Sequence, residues 1–126
     1  MSNLPTAKLI AFLATTDPIR ARAFYEKTLG LTFVADEAFA LVFELPGAML
    51  RISKVKELTP ALYTVLGWEV ADIHAETKAL AQQGIHFEHY PGLTQDDAGI
   101  CAFPNGDQVA WFKDPDGNIL SLTQFG

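Results

Sequence analysis

The chain has 126 residues, 49% of them hydrophobic, and a formal net charge of −6. This length is enough for one domain with an ordinary hydrophobic core, and the composition excludes a disordered chain. The acidic balance also argues against nucleic acid as a partner, because a polyanion requires a surface rich in Lys and Arg.

Cysteine content and hydropathy indicate a cytoplasmic location. The only cysteine, Cys101, cannot form an internal disulfide, which favours a reducing compartment and a role as a small buried side chain. No apolar run approaches the ~20 residues that span a bilayer, so we expect no membrane partner. The N-terminal KLIAFLATTD resembles a short signal-peptide core, but Asp17 follows at once and no clear cleavage site is present. We therefore interpret it as a first strand.

In chain order, the first elements occur twice. Residues 9–33 and 63–87 each read as an apolar strand, an Asp, a helix, a Gly and a short strand of the pattern Leu/Ile-x-Phe. The aspartates are expected to cap helix N-termini, and the glycines are expected to end the helices in the left-handed conformation. These four residues are Asp17, Gly30, Asp72 and Gly84.

The remaining elements repeat as well. Residues 40–54 and 109–124 each predict two strands joined by a turn that contains Pro and Gly. Each half is therefore predicted as βαβββ. The second turn is one residue longer, so the register around it stays open by one residue.

This repeat predicts a single domain of two modules. Module 1 covers residues 7–55, a polar linker covers 56–62, and module 2 covers 63–126. Residues 90–99 have no counterpart in the first half, and their Pro, Gly and Asp content predicts a surface loop.

The histidines do not suggest a metal site. His74 is expected in the solvated first turn of the second helix. His86 and His89 are expected on a strand, where a spacing of three residues would point them to opposite faces. No Ser, Cys or paired carboxylate motif for nucleophilic or acid–base catalysis is recognisable.

The two halves, together with FYEKTLGL after the first helix and DPDGN before the last strand, resemble the vicinal oxygen chelate superfamily. That superfamily contains glyoxalase I, extradiol dioxygenases, fosfomycin resistance enzymes and bleomycin resistance proteins. The resemblance implies an α+β fold in which two tandem βαβββ modules form a cupped mixed sheet. It also implies a homodimer, which is usual for members of this size. It does not define a reaction, because one fold carries many functions.

In metal-dependent members, a His on each first strand and a Glu three residues after the Asn of DPDGN typically bind one divalent ion. Aliphatic side chains, a hydroxyl and a guanidinium occupy the matching positions here, and such groups cannot hold a divalent cation. We therefore expect no metal and no cofactor. The matching positions are Ile10 or Ala11, Val65 or Leu66, Arg51 and Ser121.

Strand alternation predicts a pocket lining, if the positions that match the ligands point inward. Phe112 is expected to pair with Ile119 across the DPDG turn and so to share the face of Ser121, and Phe43 follows by the repeat. Trp111 is then expected to face the helices, unless the turn shifts the register. The predicted lining is Ile10, Phe12, Phe43, Arg51, Leu66, Trp68, Phe112 and Ser121, with Ala14 and Val70 continuing the same alternation.

These features favour a metal-free protein that binds a small molecule, for example by sequestering an antibiotic or an aromatic metabolite. Trp68 could stack on a planar group, and Arg51 could bind a carboxylate or phosphate. The alternative is a metal-independent isomerase or lyase, which would need Glu69, His89 or Tyr63 to turn inward as an acid or base. A metal-dependent glyoxalase or dioxygenase is disfavoured by the missing ligands.

Overall fold

The computed structural model describes all 126 residues, and the chain divides into two compact units, Met1–Leu58 and Thr59–Gly126. Each unit contains one four-stranded mixed sheet and one helical segment, so the predicted α+β class is confirmed. None of its helices is both long enough and apolar enough to cross a membrane.

Unit 1 has the predicted βαβββ order. Its sheet runs β1-β4-β3-β2, with β1 parallel to β4 and the other neighbours antiparallel. A short 3-10 turn, Leu4–Thr6, precedes the first strand. The elements are β1 (Leu9–Thr15), α1 (Pro18–Arg22) with a π-helical continuation (Ala23–Thr28), β2 (Thr32–Asp36), β3 (Ala40–Leu45) and β4 (Ala48–Lys54).

Unit 2 repeats this plan with the sheet order β5-β8-β7-β6 and with β5 parallel to β8. The two sheets have equivalent strand orders, so the repeat in the sequence corresponds to a repeat in the structure. The elements are β5 (Thr64–Glu69), α2 (Ile73–Gln82), β6 (Cys101–Ala102), β7 (Gln108–Lys113) and β8 (Ile119–Gln124).

Local signals begin and end the helices as predicted. The Asp17 and Asp72 carboxylates each accept a hydrogen bond from the backbone N–H three residues on, at 3.2 and 3.1 Å. Gly30 and Gly84 follow the two helical segments with φ of +74° and +93°, a conformation that is costly for residues with a Cβ.

The core of each unit lies between its sheet and its helical segment. In unit 1 the ring of Tyr25 packs 5.9 Å from that of Phe43, and Phe33 contacts Phe43 edge-on at 5.5 Å. In unit 2 Phe87 packs edge-on against Phe112 at 5.6 Å. Phe43 and Phe112 are completely buried, so both are core residues of their own units.

The predicted strand after α2 is wrong, because residues 85–87 are irregular and the second strand of this unit is β6. The side chain of Gln95 instead bridges the irregular chain that follows. Its amide oxygen accepts from the Tyr90 N–H (2.7 Å), and its amide nitrogen donates to the carbonyls of Glu88 (2.9 Å) and Gly99 (2.8 Å). These bonds satisfy three backbone groups of residues 88–99 without a regular ladder.

Candidate functional site

One face of the first sheet carries the side chains that alternation predicted around Arg51. Phe12 on β1 and Val42 on β3 lie directly beside Arg51 on β4, and side chains in one such row share a face. Ile10 and Ala14 lie on the same face two residues either side of Phe12. We call this surface the Arg51 face. Phe12 remains 63% exposed there, and Ile10 is exposed as well.

Arg51 is not an isolated cation. Its Nη2 donates to Oε1 of Glu37 at 2.8 Å, and both side chains remain partly exposed. An exposed pair of this kind stabilises a fold by at most about 1 kcal/mol. The guanidinium has five N–H donors, and this contact engages only part of that set. The Arg51 face therefore presents a positive and a negative group next to an exposed aromatic ring.

The second sheet has an equivalent face. Ser121 on β8 lies beside Gly67 on β5 and Trp111 on β7, and the next row on this face contains Glu69 and Thr123. We call this surface the Ser121 face. Ser121 itself is 7% exposed, whereas Glu69 is exposed.

The predicted inward position of Phe112 is wrong. Lys113, not Phe112, pairs with Ile119, because the turn at residues 114–118 holds five residues between the paired ends. Phe112 therefore pairs with Leu120 and faces the helix, while Trp111 takes the position beside Ser121. A slip of one residue exchanges the two faces of a strand.

The sequence analysis assigned Phe43 to the pocket because the repeat matches it to Phe112. That prediction is also wrong. Phe43 pairs with Leu50, the residue before Arg51, and so lies on the opposite face, against Tyr25.

Leu66 and Trp68 also lie on the helix side rather than with Ser121. They pair with Leu120 and Leu122, which are buried residues of the core face. An irregularity in the pairing between Thr64 and Leu66 precedes them. The sequence left open whether Val65 or Leu66 shares the face of Ser121. In the structure, Gly67 and Glu69 lie on the face of Ser121, and Leu66 lies on the opposite one.

Sequence reasoning missed Tyr90, which it assigned to a surface loop. The Tyr90 ring contacts Trp111 edge-on, with ring centres 5.6 Å apart, and its hydroxyl is buried without a hydrogen-bond partner. Burial raises the pKa of this phenol above its usual value of about 10, the charge of Glu88 raises the pKa further, and Lys113 opposes the shift. An unsatisfied donor next to the Ser121 face is a group that a ligand oxygen or a water molecule would stabilise.

Tyr90 gives a prediction about alkaline stability. When the pH rises past about 10, Tyr90 loses its proton more readily in the unfolded chain than in the folded one. The free energy of unfolding therefore falls. Below that pH the contribution is fully present. We expect the wild type to lose more stability than Tyr90→Phe between about pH 9.5 and pH 11 in urea titrations. Parallel pH profiles for the two proteins would contradict the assignment.

Gly67 gives a second prediction, because it brings β5 close to Ser121. A Cβ at residue 67 would lie 2.6 Å from Ser121 Oγ but 3.9 Å from Ser121 Cβ. We expect Gly67→Ala to lower the free energy of unfolding by about 1–2 kcal/mol through this overlap. Ser121→Ala removes the colliding oxygen, so the double variant should recover most of the loss in a double-mutant cycle. Purely additive effects would show that the clash is not the cause.

The residues present do not fit a divalent metal at the positions of the family ligands. Ile10 and Val65 offer hydrocarbon, Ser121 offers a neutral hydroxyl, and Arg51 brings a positive charge. In addition, no group of three or more His, Cys, Asp or Glu side chains is arranged to hold a metal ion.

The architecture defines a class of protein: a chain of two βαβββ units, each with a mixed sheet that carries a few polar groups among apolar ones on the face opposite its helix. A family model described as the Glyoxalase/Bleomycin resistance protein/Dioxygenase superfamily matches residues 8–122. The chain belongs to this superfamily, and the resemblance found in its sequence is confirmed.

Solved structures support the same fold. A glyoxalase family protein from Bacillus anthracis aligns over 100% of both chains with 21% identity and a TM-score of 0.76. A superfamily member from Sphaerobacter thermophilus aligns over 94% of this chain and 96% of its own, with 24% identity and a TM-score of 0.73. Lactoylglutathione lyase from Agrobacterium tumefaciens aligns over 95% and 94%, with 20% identity and a TM-score of 0.69. At these identities the similarity concerns the fold alone. A comparison with curated proteins gave no match.

Proposed function

We propose that this protein is a metal-independent member of the superfamily that binds a small aromatic molecule without converting it. The observation that carries the proposal is the exposed ring of Phe12 directly beside Arg51 on one sheet face. A few charged groups among apolar walls are typical of small-molecule sites. An exposed aromatic ring offers a stacking surface, and a guanidinium can bind a carboxylate or phosphate.

The Arg51–Glu37 pair suggests which ligands to test. The net charge of −6 favours a cationic ligand, whereas Arg51 favours an anionic one. Because Glu37 lies 2.8 Å from Arg51, the site offers both signs of charge to a ligand that stacks on Phe12. An aromatic compound with an acidic group, a basic group or both therefore fits, and this class includes antibiotics as well as aromatic metabolites.

The first experiment combines elemental analysis with a thermal-shift screen of metals and of aromatic acids and amines. We expect stabilisation by one or more organic compounds and none by stoichiometric Ni²⁺, Zn²⁺, Mn²⁺ or Fe²⁺. Stabilisation by a stoichiometric metal would contradict the metal-independent assignment.

Two variants then test the site with the compound that binds best. Phe12→Ala and Arg51→Gln should each weaken binding by about tenfold or more in calorimetry, since each removes one recognition group. Lys56→Gln removes a cation from an exposed position elsewhere in the same unit and serves as the matched control. Unchanged affinity in both site variants would exclude the Arg51 face.

Glu69 favours a second candidate function, a metal-independent isomerase or lyase. Its carboxylate lies on the Ser121 face, one row from Ser121, and could move a proton to or from a bound substrate. Product formation from a bound compound, lost in Glu69→Gln while binding persists, would favour this enzyme over the binding protein.

We also propose a homodimer, on the basis of family membership. Sedimentation equilibrium at micromolar concentration tests this directly, and a mass of one chain at all concentrations would rule it out.

A further inference from the structure

A second ion pair lies on the Arg51 face, one row away from Arg51. Glu44 on β3 pairs with Met49 on β4, two residues before Arg51 on the same strand. Glu44 therefore shares the face of Arg51, because paired residues and residues two apart along a strand lie on one face. The Nζ of Lys8 donates to Oε1 of Glu44, and both side chains are partly exposed. We call this contact the Lys8–Glu44 pair.

The surface next to the two ion pairs is apolar and accessible. Ile10 lies beside Met49 in the row of Glu44, and Phe12 lies beside Arg51 in the next row. Ile10 is 45% exposed and Phe12 is 63% exposed, so a ring can contact both. Successive rows on one face are about 6.6 Å apart along the strands. The face therefore offers an apolar surface with a positive and a negative group in successive rows.

Each ion pair leaves atoms available to a ligand. Arg51 donates to Glu37 through Nη2, and its guanidinium has further N–H donors for a carboxylate. Lys8 contacts Oε1 of Glu44, which leaves Oε2 as an acceptor for an ammonium group. Exposed ion pairs contribute little to the stability of a fold, so a ligand can rearrange either pair at a low cost.

The charges of the face favour a ligand that carries both signs. Two cations and two anions form the pairs Arg51–Glu37 and Lys8–Glu44, so together they have no net charge. A dipolar ligand keeps this balance. A dianion would instead add like charge beside two carboxylates, in a chain that already carries −6, and a dication would add like charge beside two cations.

We propose that the Arg51 face binds a dipolar aromatic compound, whose carboxylate contacts Arg51 and whose ammonium group contacts Glu44. Its ring lies on Phe12 and Ile10, next to those two contacts. This inference rests on the proposed function, to which it adds a second polar subsite and a class of ligand. Glu44 is then the residue that distinguishes dipolar compounds from simple aromatic acids.

Three para-substituted benzenes test the proposal by calorimetry with the full chain at neutral pH. The compound para-(aminomethyl)benzoate carries both charges, para-methylbenzoate keeps only the carboxylate, and para-methylbenzylamine keeps only the ammonium group. We expect the dipolar compound to bind about tenfold more tightly than either of the others, because it forms one more charge-assisted hydrogen bond. Equal affinity for the dipolar compound and para-methylbenzoate would overturn the inference.

Variants of the Lys8–Glu44 pair test the second subsite. Glu44→Gln should cancel the preference for the dipolar compound and change the affinity for para-methylbenzoate by less than about threefold. Lys8→Gln removes the cation that competes for Glu44, so it should strengthen binding of the dipolar compound by about twofold or more. Weaker binding to Lys8→Gln would assign the carboxylate to Lys8 and overturn the inference. Glu57→Gln makes the same change at an exposed position outside the strands and should retain the full preference.

The outcomes separate this inference from the proposed function. If Phe12→Ala weakens the binding of para-methylbenzoate but the dipolar compound binds no better than it, the aromatic site stands and the role of Glu44 is excluded. If Phe12→Ala and Arg51→Gln leave the binding of all three compounds unchanged, the Arg51 face itself is excluded. If none of the three compounds binds, the inference is overturned, and the wider screen of aromatic acids and amines decides the proposed function.

Discussion

Phe43→Ala is expected to lower the free energy of unfolding by about 4 kcal/mol, because it removes a completely buried ring and leaves a cavity. The lost contacts are one with Tyr25 in the helical segment of unit 1 and one with Phe33 on the neighbouring strand β2. Phe112→Ala should cost a similar amount in unit 2, where the ring packs on Phe87. Urea unfolding at constant pH measures both losses.

Phe12→Ala is the matched control, because it makes the same chemical change on β1 at a 63% exposed position. Phe12→Ala should change the free energy of unfolding by no more than about 0.5 kcal/mol. Its main effect should be weaker ligand binding. If Phe43 or Phe112 lined a pocket, as the sequence pattern indicated, their replacement would weaken ligand binding with little loss of stability. That outcome would overturn the face assignment made from the strand register.

Asp114→Ala is expected to lower the free energy of unfolding by about 3 kcal/mol, because one carboxylate holds the turn between β7 and β8. Its Oδ1 accepts from the backbone N–H groups of Asp116 (3.0 Å) and Asn118 (2.9 Å), and its Oδ2 accepts from the Asn118 side-chain amide (2.8 Å). Asp114 and Asn118 are both buried, so water would replace these bonds poorly.

Asp97→Ala is the control for this change, since it removes an exposed carboxylate from the same unit. Its effect should lie within about 0.5 kcal/mol. Equal stability of the two variants in urea would show that the Asp114 hydrogen bonds do not stabilise the turn. A selective loss for Asp114→Ala would also support the register of β7 and β8, because that turn defines it.

The register of β7 and β8 decides the composition of the Ser121 face. A turn shorter by one residue between the paired ends would have paired Phe112 with Ile119, placing Phe112 on the face of Ser121 and Trp111 in the core. The observed turn does the reverse and brings Trp111 into contact with Tyr90, whose buried hydroxyl lacks a partner. Ligand searches on this face should therefore start from Trp111, Tyr90 and Glu69.

Whether the positions of the family ligands can bind a metal ion depends on their residue types more than on the strand register. Whichever alternation the strands adopt, the positions of the family ligands offer carbon, a hydroxyl or a guanidinium. The structure adds that Arg51 is paired with Glu37, which leaves a mixed-charge site beside Phe12. For these reasons we propose an organic ligand, and not a metal ion, for the Arg51 face.

The sequence by itself determined the repeat, the βαβββ order, the helix caps and the shared face of Phe12 and Arg51. Each of these rests on local chemistry: an Asp that caps its own helix, a Gly that ends it, and a strand period of two residues. Tertiary structure alone decided which side chains of β5 and β7 face the helix, because a shift of one residue exchanges the two faces of a strand. In β7 the shift comes from the length of the turn, and in β5 from the irregular pairing between Thr64 and Leu66. It also decided that the Gln95 side chain would bridge residues 88–99 and that three distant histidines would line one groove, since both depend on how residues 85–100 pack.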